Sequence, residues 1–368
     1  MSDADLIVIG AGPWGLMSAW RAARAGATVI LIDDGGTPAG HVAAGMLGPW
    51  SEAEHRSGAM HALMVRSSRE WPRMVDELHE DSDADVGYVS SGTLLVATRP
   101  EQIGPLQAHG STIADLDEPP RWESGRELRE REPALGTHIA GGFNMADEHQ
   151  VDPRRAMAAL RTACSTRGVQ TLDDAAVALT LSAGKVTGVA THGGRMLTAS
   201  RTALAAGWNA GALSDRVPLR PVKGQILRLG TPDGSAPPLH RVVRSGEAYV
   251  APRPHGEVVV GGTVEETSDT AVEAGAVQRL LEEALLTVPS LRDLEFREAA
   301  AGLRPATPDG LPAIGMDHND GLIFATGAFR HGVLLAPVAG EAVAALATGI
   351  RPDSELTPFH PGRFEATP

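Results

Sequence analysis

The stretch LIVIGAGPWG (residues 6–15) combines an apolar run, a glycine-rich turn and the beginning of a helical pattern. Gly10, Gly12 and Gly15 fit the spacing G-x-G-x-x-G, which is typical of a strand–turn–helix unit that binds a dinucleotide. We expect Gly10 to make the tight turn, Gly12 to let the backbone approach a pyrophosphate, and Gly15 to let the helix pack closely on the strand. The N–H groups at the start of this helix would then face the phosphates.

The residues that follow the glycine turn support the same unit. One face of the predicted helix collects Leu16, Ala19, Trp20 and Ala23. Gly26 is placed to end this helix, and the apolar run 28–32 predicts a second strand that leads into Asp33. An acid about 20 residues after such a turn is placed to accept hydrogen bonds from a ribose hydroxyl. A Rossmann-type unit without a nucleotide is disfavoured, because the glycines and the acid agree.

The composition limits the kinds of protein that this chain can be. Its 368 residues suffice for two domains, and 42% hydrophobic with 21% charged residues is typical of globular proteins. The formal net charge of −14 argues against nucleic acid or an anionic membrane as the main partner. The single cysteine, Cys164, excludes an internal disulfide, and no motif supports a metal site. The acidic start and the lack of a long apolar run lead us to expect a cytoplasmic protein, either monomeric or homo-oligomeric.

The rest of the sequence alternates helical and strand patterns. Helices are predicted at residues 59–79, 151–168 and 276–288, and a final helix is predicted to end near residue 348. Short strands or hairpins are predicted at residues 88–97, near 177, and at 186–197, 202–207 and 322–326. The segments 219–229 and 248–263 predict an antiparallel sheet that differs in kind from the opening unit. Small residues dominate 35–49, which is either a loop that lies against a planar ligand or a flexible surface loop.

Nine motifs run in order from one end of the chain to the other. They are IGAGPWG (9–15) with Asp33, AAGMLGPW (43–50), YVSSGTLLVA (88–97), HQVDPRR (149–155), LAAGWNAG (204–211), PVKGQ (221–225), YVAPRPHGEVVVGGT (249–263), GLRPATPDGLPAIG (302–315) and ATGAFRHGVLLAP (325–337). Together they resemble the D-amino-acid oxidase superfamily of FAD enzymes, and most closely its glycine oxidase branch. The set is specific for the family and not for the substrate.

The resemblance implies an α/β fold with two domains. A discontinuous Rossmann-type FAD-binding domain would comprise residues 1–84, 150–219 and 302–368. An α+β substrate-binding domain with a mixed, largely antiparallel sheet would comprise residues 85–149 and 220–301.

The resemblance also implies contacts to the flavin cofactor. The loop Ala43, Ala44, Gly45 and Met46 would line the isoalloxazine, and a backbone group near Val177 would hold the adenine. The start of the last helix would point at the flavin pyrimidine edge through Gly332, Val333, Leu334 and Leu335. Arg304 and Arg330 would lie beside the ring, and Gly207 ends a second strand that approaches the nucleotide. Flavin reduction places negative charge at the pyrimidine edge, which a helix N-terminus stabilises.

The reaction that the resemblance implies is oxidation of an amine next to a carboxylate. Arg304 matches the position that clamps the carboxylate, and a guanidinium suits this task because it pairs bidentately. Arg330 is the second candidate, and Tyr249 matches an aromatic residue that closes the pocket and donates to the carboxylate. Arg244 and Arg253 are either exposed, or one of them meets a second acidic group on a larger substrate. No general base is required if the amine enters neutral.

Some positions depart from the family pattern. Pro13 and Trp14 stand where relatives usually carry compact aliphatic residues. His41 and Val42 stand where relatives carry small polar residues, and Val264 stands where glycine oxidases often carry methionine. Val42 and Val264 favour a bulkier substrate than glycine. Sarcosine-oxidase-like relatives carry an oxygen-activating lysine where this chain has Val259. Their covalent-flavin cysteine has no counterpart here, because Cys164 lies in the helix after VDPRR, so we expect noncovalent FAD.

The leading hypothesis is an oxidase of glycine or of an N-carboxymethyl amine. Hydride would pass from Cα to flavin N5, the imine would hydrolyse to glyoxylate and ammonia or an amine, and O2 would become H2O2. Free glycine would imply thiamine biosynthesis, whereas an N-carboxymethyl amino acid would imply a pathway such as a β-amino acid starter unit for a macrolactam. The alternatives are electron transfer to a quinone or an electron-transfer protein, and a noncatalytic flavoprotein subunit. A nicotinamide dehydrogenase would need a second cofactor site that no motif indicates.

Overall fold

The computed structural model describes residues 3–52, 58–112, 120–246, 248–316 and 320–364. The helices in these ranges are α1 (Pro13–Arg24), α2 (Gly58–Ser82), α3 (Ile103–Thr112), α4 (Gly125–Arg131), α5 (Pro153–Thr166), α6 (Ala274–Thr287) and α7 (Ala336–Ala347). The first strands are β1 (Ala4–Ile9), β2 (Val29–Asp33), β3 (Met46–Leu47), β4 (Thr93–Ala97), β5 (Trp122–Ser124), β6 (Gly141–Met145), β7 (His149–Gln150), β8 (Gln170–Asp173) and β9 (Ala176–Ser182). The remaining strands are β10 (Lys185–Thr191), β11 (Met196–Leu204), β12 (Arg220–Gly230), β13 (Val242–Ser245), β14 (Ala248–Pro252), β15 (Glu257–Gly261), β16 (Glu295–Ala306), β17 (Ala313–Met316) and β18 (Leu322–Thr326).

Sheet I is built around the opening unit that the sequence predicts. Its main path runs β17-β18-β11-β1-β2-β8, and β10 and β9 extend it from β11. Strand β1 pairs in parallel with both β2 and β11, while β10 and β11 form the predicted antiparallel hairpin. Parallel pairing of β1 with β2 requires a crossover, which α1 supplies. Helices α1, α2, α5 and α7 share one hydrophobic core against this sheet.

Sheet II differs in kind, as the segments 219–229 and 248–263 predict. Its strand order is β16-β12-β15-β14-β13-β4-β6-β5, and all of its neighbouring strands are antiparallel except the pair β13–β4. Helix α6 packs on one face in a separate core. The α/β fold with a mixed, largely antiparallel second sheet is therefore confirmed.

The long helices begin and end near the predicted residues because local signals fix them. Helix α1 begins with Pro13 at its first position, where the missing N–H costs nothing. The carboxylate of Asp152 caps α5 by accepting from the Arg154 amide at 2.9 Å and the Arg155 amide at 3.3 Å. None of the helices in the described ranges is both long and apolar enough to cross a membrane.

The predicted hairpin over 88–97 is wrong. In this stretch only 93–97 forms a strand, β4, and its neighbours in the sheet are β6 and β13. Val89 instead forms an isolated bridge with Gln150. Gly92 between them adopts a φ of +80°, which turns the chain away from a local pairing. The segment 88–97 does carry residues that are typical of strands. The strands that pair with β4, however, come from segments that are distant in the sequence. The domain boundaries that we expect from the sequence stay a prediction.

Candidate active site

A cavity of about 1330 Å³ is lined by residues of both sheets. It exceeds the roughly 300–1,000 Å³ of a pocket for one small molecule. Most of the predicted site residues line it, namely Gly10, Gly12, Asp33, Ala43, Ala44, Gly45, Met46, Gly207, Tyr249, Arg304, Arg330, Gly332 and Val333. The residues that do not line it are Gly15, Val177, Leu334 and Leu335. The cavity therefore has room for a dinucleotide and a substrate together.

The glycine turn forms one end of the cavity. Gly10 has a φ of +100°, and a Cβ at this position would lie 2.8 Å from the Ala205 carbonyl oxygen. The Ala11 amide donates to Asp33 Oδ1 at 2.8 Å, which fixes the acid beside the turn. A Cβ on Gly15 would lie 1.7 Å from the Gly10 carbonyl oxygen, so Gly15 is required by the packing of helix on strand. This outcome agrees with the separate role that the sequence assigns to Gly15.

Gly12 has no such steric reason within the protein. A Cβ built there would meet only Pro38 Cβ, at 3.7 Å, which is ordinary contact. The backbone at Gly12, with φ −74° and ψ −178°, is open to any residue. Gly12 nevertheless lines the cavity at the N-terminus of α1. A ligand that approaches this backbone closely explains the glycine, and a pyrophosphate at a helix N-terminus is such a ligand.

The loop 43–46 is held rigidly against the cavity. Gly45 has a φ of +73°, and a Cβ there would lie 2.0 Å from the Val151 carbonyl oxygen. The buried Arg253 side chain donates from Nη1 to Gln150 Oε1 at 2.6 Å and from Nη2 to the Ala44 carbonyl. Burial lowers the pKa of Arg253 to about 10. A flexible surface loop is therefore the weaker of the two interpretations of 35–49. Arg253 is neither exposed nor aimed at substrate, which corrects the expectation from the sequence.

The adenine contact predicted near Val177 stays a prediction. Val177 is 52% exposed and lies outside the cavity lining. The residues just before it, Asp174, Ala175 and Ala176, do line the cavity. Within this segment, residues 174–176 are therefore the ones that a ligand in the cavity could contact.

The turn before α7 forms the opposite wall. Gly332 and Val333 line the cavity, and their amides have no acceptor within the described ranges. Trp14 Nε1 donates to the Gly332 carbonyl at 2.7 Å, so the unusual tryptophan in the glycine turn anchors this wall. The Leu334 carbonyl accepts from Trp71 Nε1 at 3.1 Å, which ties the same turn to α2. Amides without an acceptor in the protein, in the turn that leads into a helix, suit the anionic edge of a reduced flavin.

Arg304 and Tyr249 converge at one end of the cavity. Arg304 Nη1 donates to the Thr263 carbonyl at 2.8 Å and to the Lys223 carbonyl at 3.3 Å. A Cβ on Gly224 would lie 2.2 Å from both terminal nitrogens of Arg304, so glycine there makes room for the guanidinium. A Cβ on Gly262 would lie 3.1 Å from the Tyr249 hydroxyl and 3.4 Å from Arg304 Nη2. Burial lowers the pKa of Arg304 and raises that of Tyr249.

A buried carboxylate that the sequence did not single out joins this end of the cavity. Glu52 Oε1 lies 2.9 Å from Arg244 Nη1, and Oε2 lies 3.5 Å from His331 Nδ1. Burial alone would raise the pKa of Glu52, but the nearby charges, chiefly that of Arg244, outweigh it and hold the pKa at about 2. Of the two alternatives for Arg244, the structure supports a side chain in the cavity. In the sequence, nothing distinguishes the acid that follows AAGMLGPW from an acid on the protein surface.

A second buried acid holds the segment that carries Glu52. Glu148 Oε1 accepts from the Trp50 amide at 2.8 Å and from the Ser51 amide at 2.7 Å. Its Oε2 has no hydrogen-bond partner among the residues that the structure describes. Burial raises the pKa of Glu148 to about 7. The fold therefore favours the protonated form of this carboxyl group.

Glutamine in place of Glu148 is expected to reduce the loss of stability at alkaline pH. Because the pKa of about 7 in the folded protein exceeds the ordinary value of 4.5, the wild type loses free energy of unfolding as pH rises through this interval. The loss is up to about 3 kcal/mol at pH 8, from 1.36 kcal/mol per pKa unit. Urea unfolding at pH 5 and pH 8 should show Glu148→Gln more stable than wild type only at pH 8. The exposed Glu130→Gln serves as control, and a variant as pH-sensitive as wild type would refute the assignment.

The structure shows where Cys164 lies, but it does not test the predicted absence of a metal site. Cys164 Sγ lies 3.6 Å from the Leu16 carbonyl, outside the cavity lining, and burial raises its pKa to about 12. It is therefore not placed to bond a flavin. Asp152, His255 and Glu257 bring ligand atoms within 4.8 Å of one another, but the first caps α5 and the last pairs with an arginine. The expected absence of a metal stays a prediction.

Sequence relatives of this chain include glycine oxidases. The chain is 34% identical to the Bifunctional protein ThiO/ThiG of Nostoc sp. (strain PCC 7120 / SAG 25.82 / UTEX 2576), over 98% of its own length and 55% of that relative. It thus spans about half the length of this bifunctional relative. It is 31% identical to the glycine oxidase of Geobacillus kaustophilus (strain HTA426), and the match covers 96% of each chain.

Solved structures agree with these relatives. The crystal structure of glycine oxidase from Geobacillus kaustophilus has a TM-score of 0.91 at 29% identity and covers 99% of both chains. The iminodiacetate oxidase from Chelativorans sp. BNC1 has a TM-score of 0.87 at 26% identity, with 97% of this chain and 98% of that chain covered. The family model described as FAD dependent oxidoreductase (DAO) matches residues 5–346. The chain therefore belongs to the DAO family of FAD dependent oxidoreductases.

Proposed function

We propose that the protein oxidises an N-carboxymethyl amine, a secondary amine whose nitrogen carries a CH2–COO⁻ group. The observation that carries this proposal is a second guanidinium, Arg244, in the same cavity as Arg304 and Tyr249. Arg304 and the Tyr249 hydroxyl hold the carboxylate of the CH2–COO⁻ group. Arg244 meets a second carboxylate on the other nitrogen substituent. A guanidinium that keeps donors facing the cavity can serve two acceptors at once.

The charges of the cavity affect the protonation of the substrate amine. Arg244, Arg304 and Arg330 all line it, and nearby cations lower the pKa of a bound ammonium group. The neutral amine that hydride loss requires is therefore favoured over the ammonium form. Bound FAD supplies a two-electron acceptor for the hydride that leaves Cα. Water then hydrolyses the imine to glyoxylate and the amine, and O2 takes up the electrons as H2O2.

Two comparisons bear on the choice of substrate. Iminodiacetate, which the structural neighbour is named for, carries two carboxylates on one amine, as the proposed substrate does. The relatives named glycine oxidase favour the second candidate, oxidation of free glycine, as in thiamine biosynthesis. Glycine would leave Arg244 without a substrate carboxylate. Transfer of electrons to a quinone or an electron-transfer protein instead of O2 remains an alternative within both candidates.

Anaerobic mixing of the FAD-loaded protein with a set of amines tests the proposal. The set contains glycine, sarcosine, iminodiacetate and an N-carboxymethyl β-amino acid, the substrate that a macrolactam starter-unit pathway would require. Loss of the flavin absorbance reports reduction, and peroxide after admission of air reports the acceptor. We expect the dicarboxylates to reduce the flavin at lower concentrations than glycine. Faster reduction by glycine than by any dicarboxylate would favour the second candidate.

Replacing Arg244 by methionine is expected to change the preference among these substrates. The KM for iminodiacetate should rise by about tenfold or more relative to the KM for sarcosine, because a lost charged partner costs about 1.5–3 kcal/mol. Arg220→Ala, which removes an exposed arginine paired with Glu266, is the matched control. Equal changes in the KM of both substrates would show that Arg244 does not meet a second carboxylate.

A further inference from the structure

The carboxylates around the cavity differ in their partners. Glu265 Oε1 accepts from Gln225 Nε2 at 2.7 Å, and Glu298 pairs with Arg154 at 2.7 Å. Both therefore have hydrogen-bond or ion-pair partners within the protein, although the charge of Glu265 also acts on Arg304. Glu52 instead lies among the groups that would bind substrate, with 7% of its surface exposed. Its charge acts on Arg304 and Tyr249 as well as on its ion-pair partner.

The surroundings of Glu52 hold it in place before any substrate arrives. Arg244 and His331 contact its two oxygens at 2.9 and 3.5 Å. Its amide donates to the Gly48 carbonyl at 3.3 Å, and Glu148 holds the preceding Ser51 amide. A charge that is fixed in advance costs no reorganisation when the reaction takes place.

The proposed amine oxidation creates a positive charge on the substrate nitrogen, among cationic side chains. The fixed carboxylate of Glu52 can offset this charge. As the Cα–H bond breaks, its electron pair leaves as hydride, and the nitrogen lone pair forms the C=N bond. The nitrogen becomes an iminium with a full positive charge, in a cavity that already holds the guanidinium groups of Arg244, Arg304 and Arg330. Those cations help the neutral amine to bind, but they oppose the charge that develops afterwards.

We propose that the Glu52 carboxylate contacts the substrate amine and stabilises the positive charge that develops on its nitrogen. Glu52 is then a catalytic residue, and its pairing with Arg244 aims it between the two carboxylate positions of the substrate. No proton moves to Glu52 in this step, since its partners keep it ionised. This inference rests on the proposed oxidation of an amine next to a carboxylate.

Glutamine in place of Glu52 separates this role from a structural one. It keeps the shape and an oxygen that accepts from Arg244, but it removes the charge. The first-order rate of anaerobic flavin reduction by sarcosine should fall by about 100-fold or more, as for loss of one group that stabilises transition-state charge. Acetate, a carboxylate without an amine, should bind the FAD-loaded variant about threefold or more tightly, because an anion has left a cationic cavity. The flavin spectrum reports both quantities.

The pH dependence of reduction gives an independent test. The groups that face Glu52 are the guanidinium groups of Arg244, Arg330 and Arg304, the imidazole of His331 and the hydroxyl of Tyr249. Removing the carboxylate takes one negative charge away from the amine, so the ammonium of bound sarcosine should lose its proton at lower pH. The rising limb of the pH profile should therefore move to lower pH in Glu52→Gln. Glu283→Gln, at a cavity carboxylate paired with Arg99, should not move it.

The outcomes distinguish this inference from the proposed function. If wild type is reduced and Glu52→Gln is reduced within threefold of its rate, the inference is wrong while the proposed function stands. Slower reduction together with weaker acetate binding would show that Glu52 only supports the structure, and would also overturn the inference. If no amine reduces the wild-type flavin, the proposed function and the inference fail together.

Discussion

Alanine in place of Arg304 is expected to lower kcat/KM by about 10³-fold, or about 4 kcal/mol of transition-state stabilisation. The guanidinium is buried and oriented by the Thr263 and Lys223 carbonyls, in space that Gly224 leaves open. Alanine would leave the substrate carboxylate without this partner in a cavity largely shielded from water. Bound FAD should be retained, because the glycine turn and the turn before α7 do not depend on Arg304.

Stopped-flow reduction under anaerobic conditions measures the first effect, and the ratio of flavin to protein absorbance measures the second. Arg126→Ala on the exposed side of α4 is the control. Lysine at position 304 should recover only part of the lost rate, since an ammonium cannot pair bidentately. An alanine variant that turns over within tenfold of wild type would remove Arg304 from the site.

Alanine in place of Gly12 is expected to abolish tight FAD binding while leaving the folded apoprotein intact. The Cβ would meet only Pro38 at 3.7 Å, and the backbone angles suit any residue. The methyl group would, however, occupy the surface that a pyrophosphate has to approach. We expect the dissociation constant for FAD to rise by about 100-fold or more, the equivalent of two lost phosphate hydrogen bonds to charged groups.

Titration of apoprotein with FAD, followed by quenching of flavin fluorescence, gives the dissociation constant. The thermal midpoints of the two apoproteins should agree within about two degrees, since no contact in the protein is strained. Gly104→Ala on α3, where a Cβ meets nothing within 4 Å, controls for the substitution itself. Gly15→Ala should instead damage the apoprotein, because its Cβ overlaps the Gly10 carbonyl. FAD binding by Gly12→Ala at wild-type strength would place the phosphates elsewhere.

The sequence predicts the opening unit well because each of its signals is local. The glycine turn, the start of α1 and Asp33 all lie within residues 6–33. Contacts between residues that are near in the sequence suffice to bring them together. Arg304 and Tyr249 are found through their motifs, since the residues around them match a family whose pocket is known. The pairing of β12 with β16 then sets Arg304 opposite Val222 and brings it to the cavity.

The remaining residues of the site depend on contacts between distant segments. Arg253 donates to Gln150, which is 103 positions away, and no local pattern marks it as buried. Glu52 meets Arg244, 192 positions away, and would pass for a surface acid in a pattern search. The wrong hairpin at 88–97 has the same origin, because β4 finds its partners in strands that follow much later. Side chains whose role is set by a remote partner become visible only in three dimensions.

The hydrogen bond from Trp14 to the Gly332 carbonyl has a consequence for how the cofactor is acquired. It joins segments 318 positions apart, and both border the space for the flavin. On a ribosome, the glycine turn emerges long before the segment that completes its binding site. Capture of FAD therefore has to wait until the segment around Gly332 has been synthesised. Cells short of riboflavin would accumulate apoprotein, which lacks the stabilisation that bound FAD gives against unfolding and proteolysis.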